Sequence, residues 1–320
     1  NSIIASGAVI EGEVQNSIIG RKVKIRYGAK IKNSIVMNQS IIEEDALVEF
    51  SILDKETKVL NNSIVTGDEY DIFVAEKKQI VTTHKSLAIL QMSAECNPYM
   101  KTGGLADIVG ALAEQYSDLG HKSQVILPLY PQIKEKYKLL MELRVSNSLF
   151  YGDKSYKVNL YSITNTNTVY YFIESYDFFD RDKVYGYEDD GDRFAFFSLA
   201  AIKLLDAIDE FPDVIHIHDW HLGLLPLLLK SADLDIKTLL TIHNIEYQGL
   251  YPLDILTKLK IENPWQYAKL GKINFMEIGL SNASKISTVS DTYKDELKYE
   301  YYSKNLVDVI NKRYRDFYGI

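Results

Sequence analysis

SLAILQMSAECNPYMKTGGLADIVGALAEQYSDLGHKSQVILP, residues 86–128, changes the rhythm of the chain and decides the fold class of its larger part. Residues 87–91 read as a buried strand. Residues 105–116 place Leu105, Ile108, Val109 and Leu112 on one helical face, Gly120 stops that helix, and residues 124–127 form the next strand. Further strands are expected at 214–217, 239–242 and 285–289, with helices between them, and residues 156–162 and 168–173 alternate like an antiparallel excursion. Strand–helix alternation predicts an α/β unit, a parallel sheet with helices on both faces, whose ligands sit at the carboxyl ends of the strands. Chemistry is therefore expected just after Gln91, Ile217 and Ile242, where the unusual residues fall.

Residues 1–66 follow a different period. Ile4 and Ile10, then Ile19, Ile25, Ile31 and Met37, then Ile42 and Val48, recur at steps of six, and Ala8, Val14, Val23, Ala29, Ile35, Ala46 and Ile52 follow at a fixed offset. Six fits neither a helix nor a two-residue alternation. It fits a hexapeptide β-helix with one large apolar residue pointing inward from each edge of a triangular coil of roughly 18 residues. The polar run over residues 67–85 (GDEYD, AEKKQ, TTHK) is expected to be a linker, and residues 86–320 the second domain.

Composition narrows the function. The 320 residues carry a net charge of −8 and a sequence pI near 5.4, which argues against nucleic acid as the main partner, since phosphate neutralisation needs a basic face. A neutral polymer makes no such demand. The 23 tyrosines suit sugar stacking, although tyrosines also fill cores. Cys96, the single cysteine, forbids an intrachain disulfide and points to a reducing compartment. No apolar run reaches the roughly 18 residues of a membrane span, and nothing near Asn1 reads as a secretion signal, so a cytoplasmic location is expected.

The adjacent glycines Gly103 and Gly104, at a helix entry beside Lys101, read as a phosphate cradle of moderate specificity. They match neither the P-loop nor the GxGxxG pattern. The alternating His216, His218 and His221 read as ordinary strand-end histidines rather than a zinc site, and Asp190-Gly191-Asp192 as an acidic surface turn rather than a metal-binding DxD. Cys96 reads as a structural bystander.

KTGGLAD, VYGYEDDGDRFAFFS, PDVIHIHDWHLGLLP, TIHNIEYQGLYP and ISTVSDTY occur in the order and approximate spacing of bacterial glycogen synthases and plant starch synthases, and residues 86–320 resemble that family. The resemblance implies the N-terminal, Rossmann-like domain of a GT-B enzyme, two such domains facing across a cleft. It also implies retaining transfer of glucose from ADP-glucose to an α-1,4-glucan, with no cofactor or metal. Residue by residue, Lys101, Gly103 and Gly104 resemble the loop that reaches the donor's diphosphate. Glu95 and Asp107 resemble acidic residues near the sugar, and Asp219 and Trp220 acceptor-side contacts. Tyr185, with Tyr187 as the alternative, resembles the tyrosine of the substrate loop. His243 resembles the histidine whose backbone carbonyl faces the transferred glucose. The resemblance places the diphosphate-neutralising cations and a glutamate beyond Ile320, so the 320 residues alone are expected to bind maltooligosaccharides weakly and to make no glucan.

The run IIASGAVIEGEVQNSIIGRKVKIRYGAKIKNSIVM resembles the left-handed C-terminal β-helix of ADP-glucose pyrophosphorylase and its non-catalytic paralogue. This implies a part in subunit contacts, through a homo-oligomer, and in allosteric control. Arg21, Lys22, Lys24 and Arg26 are then candidates for a phosphorylated effector. A non-catalytic scaffold is the rival reading. Acyl transfer on the coil is disfavoured because all six histidines, from His84 onward, follow it.

Overall fold

A computed structural model describes residues 2–83 and 86–320; Asn1 and the linker candidates His84 and Lys85 lie outside them. Two compact units emerge, Asn1–Ser86 with Asp118–His121, and Leu87–Ser117 with Lys122–Ile320.

The first unit is a coil of two- and three-residue strands in three parallel sheets of five, five and four strands. Ile18 pairs with Ile35 and Ile35 with Ile52; Ile25 pairs with Ile42, and Ile31 with Val48. The central coils therefore repeat every 17 residues, as does their serine ladder, rather than every 18. Ile19, Ile25, Ile31, Val36, Ile42, Val48, Leu53, Val59 and Val65 fill the interior with at most 4% exposure. One corner in each of these coils is a residue short, so Val36 rather than Met37 points inward and Ile35 points outward. The short corner is closed by side chains. Ser17, Ser34 and Ser51 are buried; the Ser34 N–H donates to Ser17 Oγ and the Ser51 N–H to Ser34 Oγ, both at 3.1 Å. Each serine follows a residue of positive φ (Asn16, Asn33 and Phe50), a conformation asparagine accepts readily and phenylalanine does not.

Residues 67–85 differ from the expected linker. Phe73–Ala75 pairs with Ser51–Leu53, and Ile80–Val81 with Lys58–Val59, so the coil runs on through Val81. GDEYD is a loop let out of one corner, braced by Asp68 Oδ1, which accepts the N–H groups of Tyr70 and Asp71 at 2.8 and 2.9 Å. Its polarity marks an excursion, not a domain exit.

The second unit is built on a nine-stranded sheet. Its order is Glu142–Tyr151, Lys154–Asn165, Thr168–Glu174, Lys122–Pro128, Ala88–Met92, Val214–His218, Lys237–Ile242, Lys285–Thr288 and Phe317–Gly319. The first three strands run antiparallel to one another and the remaining pairings are parallel. All five residues of Ala88–Met92 are buried, as a parallel strand covered on both faces requires. The chain leaves this strand for Lys122–Pro128 on one side and later returns to Val214–His218 on the other. The direction of winding thus reverses at its carboxyl end, where open α/β sheets bind ligands. Helix Gly104–Asp118 starts there and buries Ala106, Val109, Gly110 and Ala113. Among the described residues no helix is long and apolar enough to cross a membrane.

Ile31 is fully buried between Val14 and Val48 in the coil ladder, while its neighbour Lys30 is exposed. Ile31→Ala is expected to cost the coil about 2–5 kcal/mol in urea unfolding, and Lys30→Ala less than about 0.5 kcal/mol.

Candidate active site

Three strand ends supply the site. Strand Ala88–Met92 runs into Ser93, Ala94 and Glu95, with Glu95 only 3% exposed. Its carboxylate accepts the Thr102 N–H, the Thr102 hydroxyl at 2.7 Å and the Gly103 N–H at 3.3 Å. The glycine loop expected to cradle a diphosphate is thus turned onto a carboxylate of its own chain. A Cβ at Gly103 would come no nearer than 3.9 Å to Glu95, and one at Gly104 would meet nothing within 4 Å, so the space in front of the loop is open. Lys101 projects into solvent and pairs with Asp107 of the following helix turn at 2.7 Å. The two residues expected to act separately on substrate form one exposed ion pair.

Strand Val214–His218 ends at Asp219, whose φ of 55° lies in the left-handed region. Its carboxylate Oδ1 accepts the N–H of His243 at 2.8 Å and of Asn244 at 3.3 Å, which fixes the loop leaving strand Lys237–Ile242. Burial raises the Asp219 carboxyl to about 7 although these two donors pull it down; the negative charge of Glu95 adds to the rise. Asp219 is therefore a clamp on the His243 backbone. Trp220, expected as an acceptor contact, is instead a core residue. It is 7% exposed and packs on Phe194, Tyr251 and Phe275 with ring centroids 5.4, 5.5 and 6.1 Å away. Gly249 is required beneath it, since a Cβ there would come within 2.4 Å of the indole.

Tyr185 is half-buried and lies flat against His221, centroids 4.8 Å apart. Its hydroxyl is buried beside Glu95, and burial, then the charge of Glu95, raise it far above the ordinary phenol. Tyr187 serves the loop: its hydroxyl accepts the Lys183 N–H at 3.0 Å, and its ring faces Arg193. Asp190 is not at a surface turn but 5% exposed, paired with the buried Arg193 and accepting the N–H groups of Gly186 and Tyr187. Asp192 accepts from the Tyr151 hydroxyl at 2.6 Å and from Lys258 at 2.7 Å. Asp190 thus braces the loop of Gly186 and Tyr187, and Asp192 ties its helix to Tyr151 and Lys258.

The histidines lie in a buried polar seam that the sequence reading did not resolve. His216 lies between the Tyr116 hydroxyl (3.0 Å) and Thr241 Oγ1 (2.6 Å); His218 lies between Gln91 Oε1 (3.2 Å) and His243 Nε2 (3.0 Å). Burial lowers His216 and His221 to about 3, His243 to about 4, and His218 well below the ordinary imidazole, so all four are neutral near pH 7. Among the described residues no group of three His, Cys, Asp or Glu side chains is arranged to hold a metal ion. Cys96 is buried, and desolvation pushes its thiol up to about 12, as befits a packing residue. Gln91, Thr102 and Thr241 are the site residues that sequence reasoning missed. The i, i+2 histidines on a buried strand were the signal that polar partners must flank them.

These shifts act in opposite directions on stability. The histidines take up protons in the unfolded chain below about pH 6.5 while staying neutral in the folded one, so stability falls as pH drops. Asp219 holds its proton in the folded chain up to about 7 and loses it near 3.8 when unfolded, so it offsets part of that fall. Asp219→Asn removes the offset, and between pH 7.5 and 5.0 it is expected to lose about 2 kcal/mol more stability than wild type in urea titrations.

Comparison with known proteins accords with this layout. Residues 88–312 match the family model described as starch synthase catalytic domain, and residues 1–84 the one described as GlmU-like, C-terminal hexapeptide. The chain is 36% identical over 246 residues to a glycogen synthase of Bacillus subtilis (strain 168), covering 73% of this chain and 51% of that one. It is 39% identical over 242 residues to a glycogen synthase of Exiguobacterium sibiricum, covering 71% and 50%. The solved catalytic domain of starch synthase IV from Arabidopsis thaliana, bound to ADP and acarbose, superposes with a TM-score of 0.64 at 28% identity, over 74% of this chain and 51% of that one. The chain thus spans about half the length of the relatives it matches, as the N-terminal, Rossmann-like part of the GT-B architecture preceded by a left-handed hexapeptide coil. With its sheet, its strand-end loops and most of its length matched by one family model, the chain belongs to the starch synthase catalytic domain family.

Proposed function

We propose that this chain supplies the acceptor-side half of a glycogen or starch synthase, transferring glucose with retention from ADP-glucose to the non-reducing end of an α-1,4-glucan. The observation that carries the reading is the convergence of Glu95, Tyr185, Asp219 and His243 at the winding reversal of the sheet, with Lys101 exposed on the loop of Glu95. In this reading the clamped His243 turns its backbone carbonyl towards the positive charge that develops on the sugar, and Lys101 exchanges Asp107 for the departing diphosphate. Asp219 contributes by holding His243, Glu95 by holding the glycine loop, and Trp220, the residue after Asp219, by packing on Phe194, Tyr251 and Phe275.

Stabilising the departing diphosphate takes several prearranged cations. Within these 320 residues the candidate is Lys101, already balanced by Asp107. The chain alone is expected to be retarded in maltooligosaccharide-containing gels and to incorporate no labelled glucose from ADP-glucose; robust incorporation would overturn the reading. Joined to a donor-side domain, Lys101→Ala is expected to lower kcat about 10²- to 10³-fold with glucan binding retained.

For the coil, a homo-oligomer of pyrophosphorylase type is supported by one apolar face. Ile3, Ile18, Ile35, Ile52 and Val74 stand in register along a single sheet, and the first three and the last are exposed. Arg21, Lys22 and Lys24 are exposed on its basic edge, and Arg26 is 3.6 Å from Glu11, an arrangement open to a phosphorylated effector. Calorimetric titration with sugar phosphates is expected to show binding that reversal of Arg21 and Lys24 to Glu abolishes; no heat with the wild type removes the effector.

A further inference from the structure

We propose that Gln91 and His218 are positioning residues that hold the His243 imidazole as its Nε2–H tautomer, leaving Nδ1 bare to accept a hydrogen bond from a hydroxyl of the bound sugar. The identity of that ligand rests on the glucosyl-transfer reading; the tautomer does not.

The argument starts at Gln91, which is fully buried. Its amide Nε2 donates to the Val109 carbonyl of helix Gly104–Asp118 at 3.2 Å. Turning the amide over would set two carbonyl oxygens against each other, so the orientation is fixed and Oε1 faces His218. A carbonyl oxygen only accepts. The His218 nitrogen 3.2 Å from it, Nε2, must therefore carry the proton. A neutral imidazole has one N–H, so His218 Nδ1 is bare and accepts from the nitrogen 3.0 Å away, His243 Nε2. That bond places the His243 proton on Nε2 and leaves its Nδ1 without one. The relay requires neutral rings, and burial keeps both neutral near pH 7.

His243 is the half-buried member of the seam, and the described residues offer its Nδ1 no partner. Its backbone N–H is separately held by Asp219 at 2.8 Å. Ring and backbone are thus fixed by different neighbours, and the nitrogen left over is an acceptor. It suits a ligand rich in O–H donors and rejects one that offers only acceptors at that point.

Ring-nitrogen NMR on the ¹⁵N-histidine-labelled chain at pH 7.5 tests this directly. Protonated Nε2 and bare Nδ1 at both His218 and His243 are the expected result; a predominant Nδ1–H at His243 overturns it. Gln91→Glu keeps an acceptor and is expected to leave both rings unchanged. Gln91→Met removes it and is expected to give mixed tautomers at both; rings unchanged in Gln91→Met would show the relay to be idle. Should Gln91→Met fail to fold, the wild-type spectrum and Gln91→Glu still decide the matter. Saturating ADP-glucose is expected to move the His243 Nδ1 resonance, and no movement removes the hydroxyl of the transferred glucose as its ligand. The ring spectra need no sugar and no activity, so they remain decisive where the glucosyl-transfer reading fails.

Discussion

A single carboxylate, that of Asp219, joins two strand ends that would otherwise carry unsatisfied amides. By accepting the N–H groups of His243 and Asn244 it ties the end of Val214–His218 to the loop that follows Lys237–Ile242. The arrangement holds Asp219 at φ 55° and ψ −167°, a conformation ordinarily left to glycine and about 1–3 kcal/mol unfavourable for other residues. The same hydrogen bonds offset that strain, and the Asp219 N–H is paired with the Thr241 carbonyl at 3.0 Å. Everything proposed for His243, its carbonyl as well as its ring, depends on this loop being held.

Around the clamp, the histidines carry no charge. The imidazoles of His216, His218 and His243 are neutral, each engaged by an amide, a hydroxyl or another ring, while the one ammonium of the glycine loop stands in solvent beside Asp107. A buried neutral network keeps its geometry because each alternative arrangement strands a polar group away from water. An exposed ion pair is worth little and exchanges partners readily. The site thus joins a rigid floor to an adaptable rim.

The sheet was legible because its strands are buried on both faces and read as continuous apolar runs. Glu142–Tyr151 escaped because most of its residues are exposed, so no face of it is marked by hydrophobicity. The period of the coil was legible from Ile19, Ile25 and Ile31, but the short corner was not. A one-residue deletion becomes visible only when Ser17, Ser34 and Ser51 are aligned with one another, and the apolar run Ile35, Val36 and Met37 made either phase plausible by hydrophobicity alone. In the site, motifs located Glu95, Asp219 and His243, but their chemistry lay in partners. Periodicity cannot say that a glycine-loop amide will turn onto Glu95, or that Trp220 will face inward, because both follow from three-dimensional neighbours such as Thr102 and Gly249.

The corner that releases Asp68–Asp71 has a consequence for how such a coil can diversify. Rungs above and below the excursion remain in step, Ile52 over Val74 and Val59 over Val81, because each rung is held only by its immediate neighbours. Extra chain let out at a vertex leaves the stacking below undisturbed. New recognition elements can therefore be grafted at that vertex, with length and sequence free to drift, while the prism beneath them stays the same.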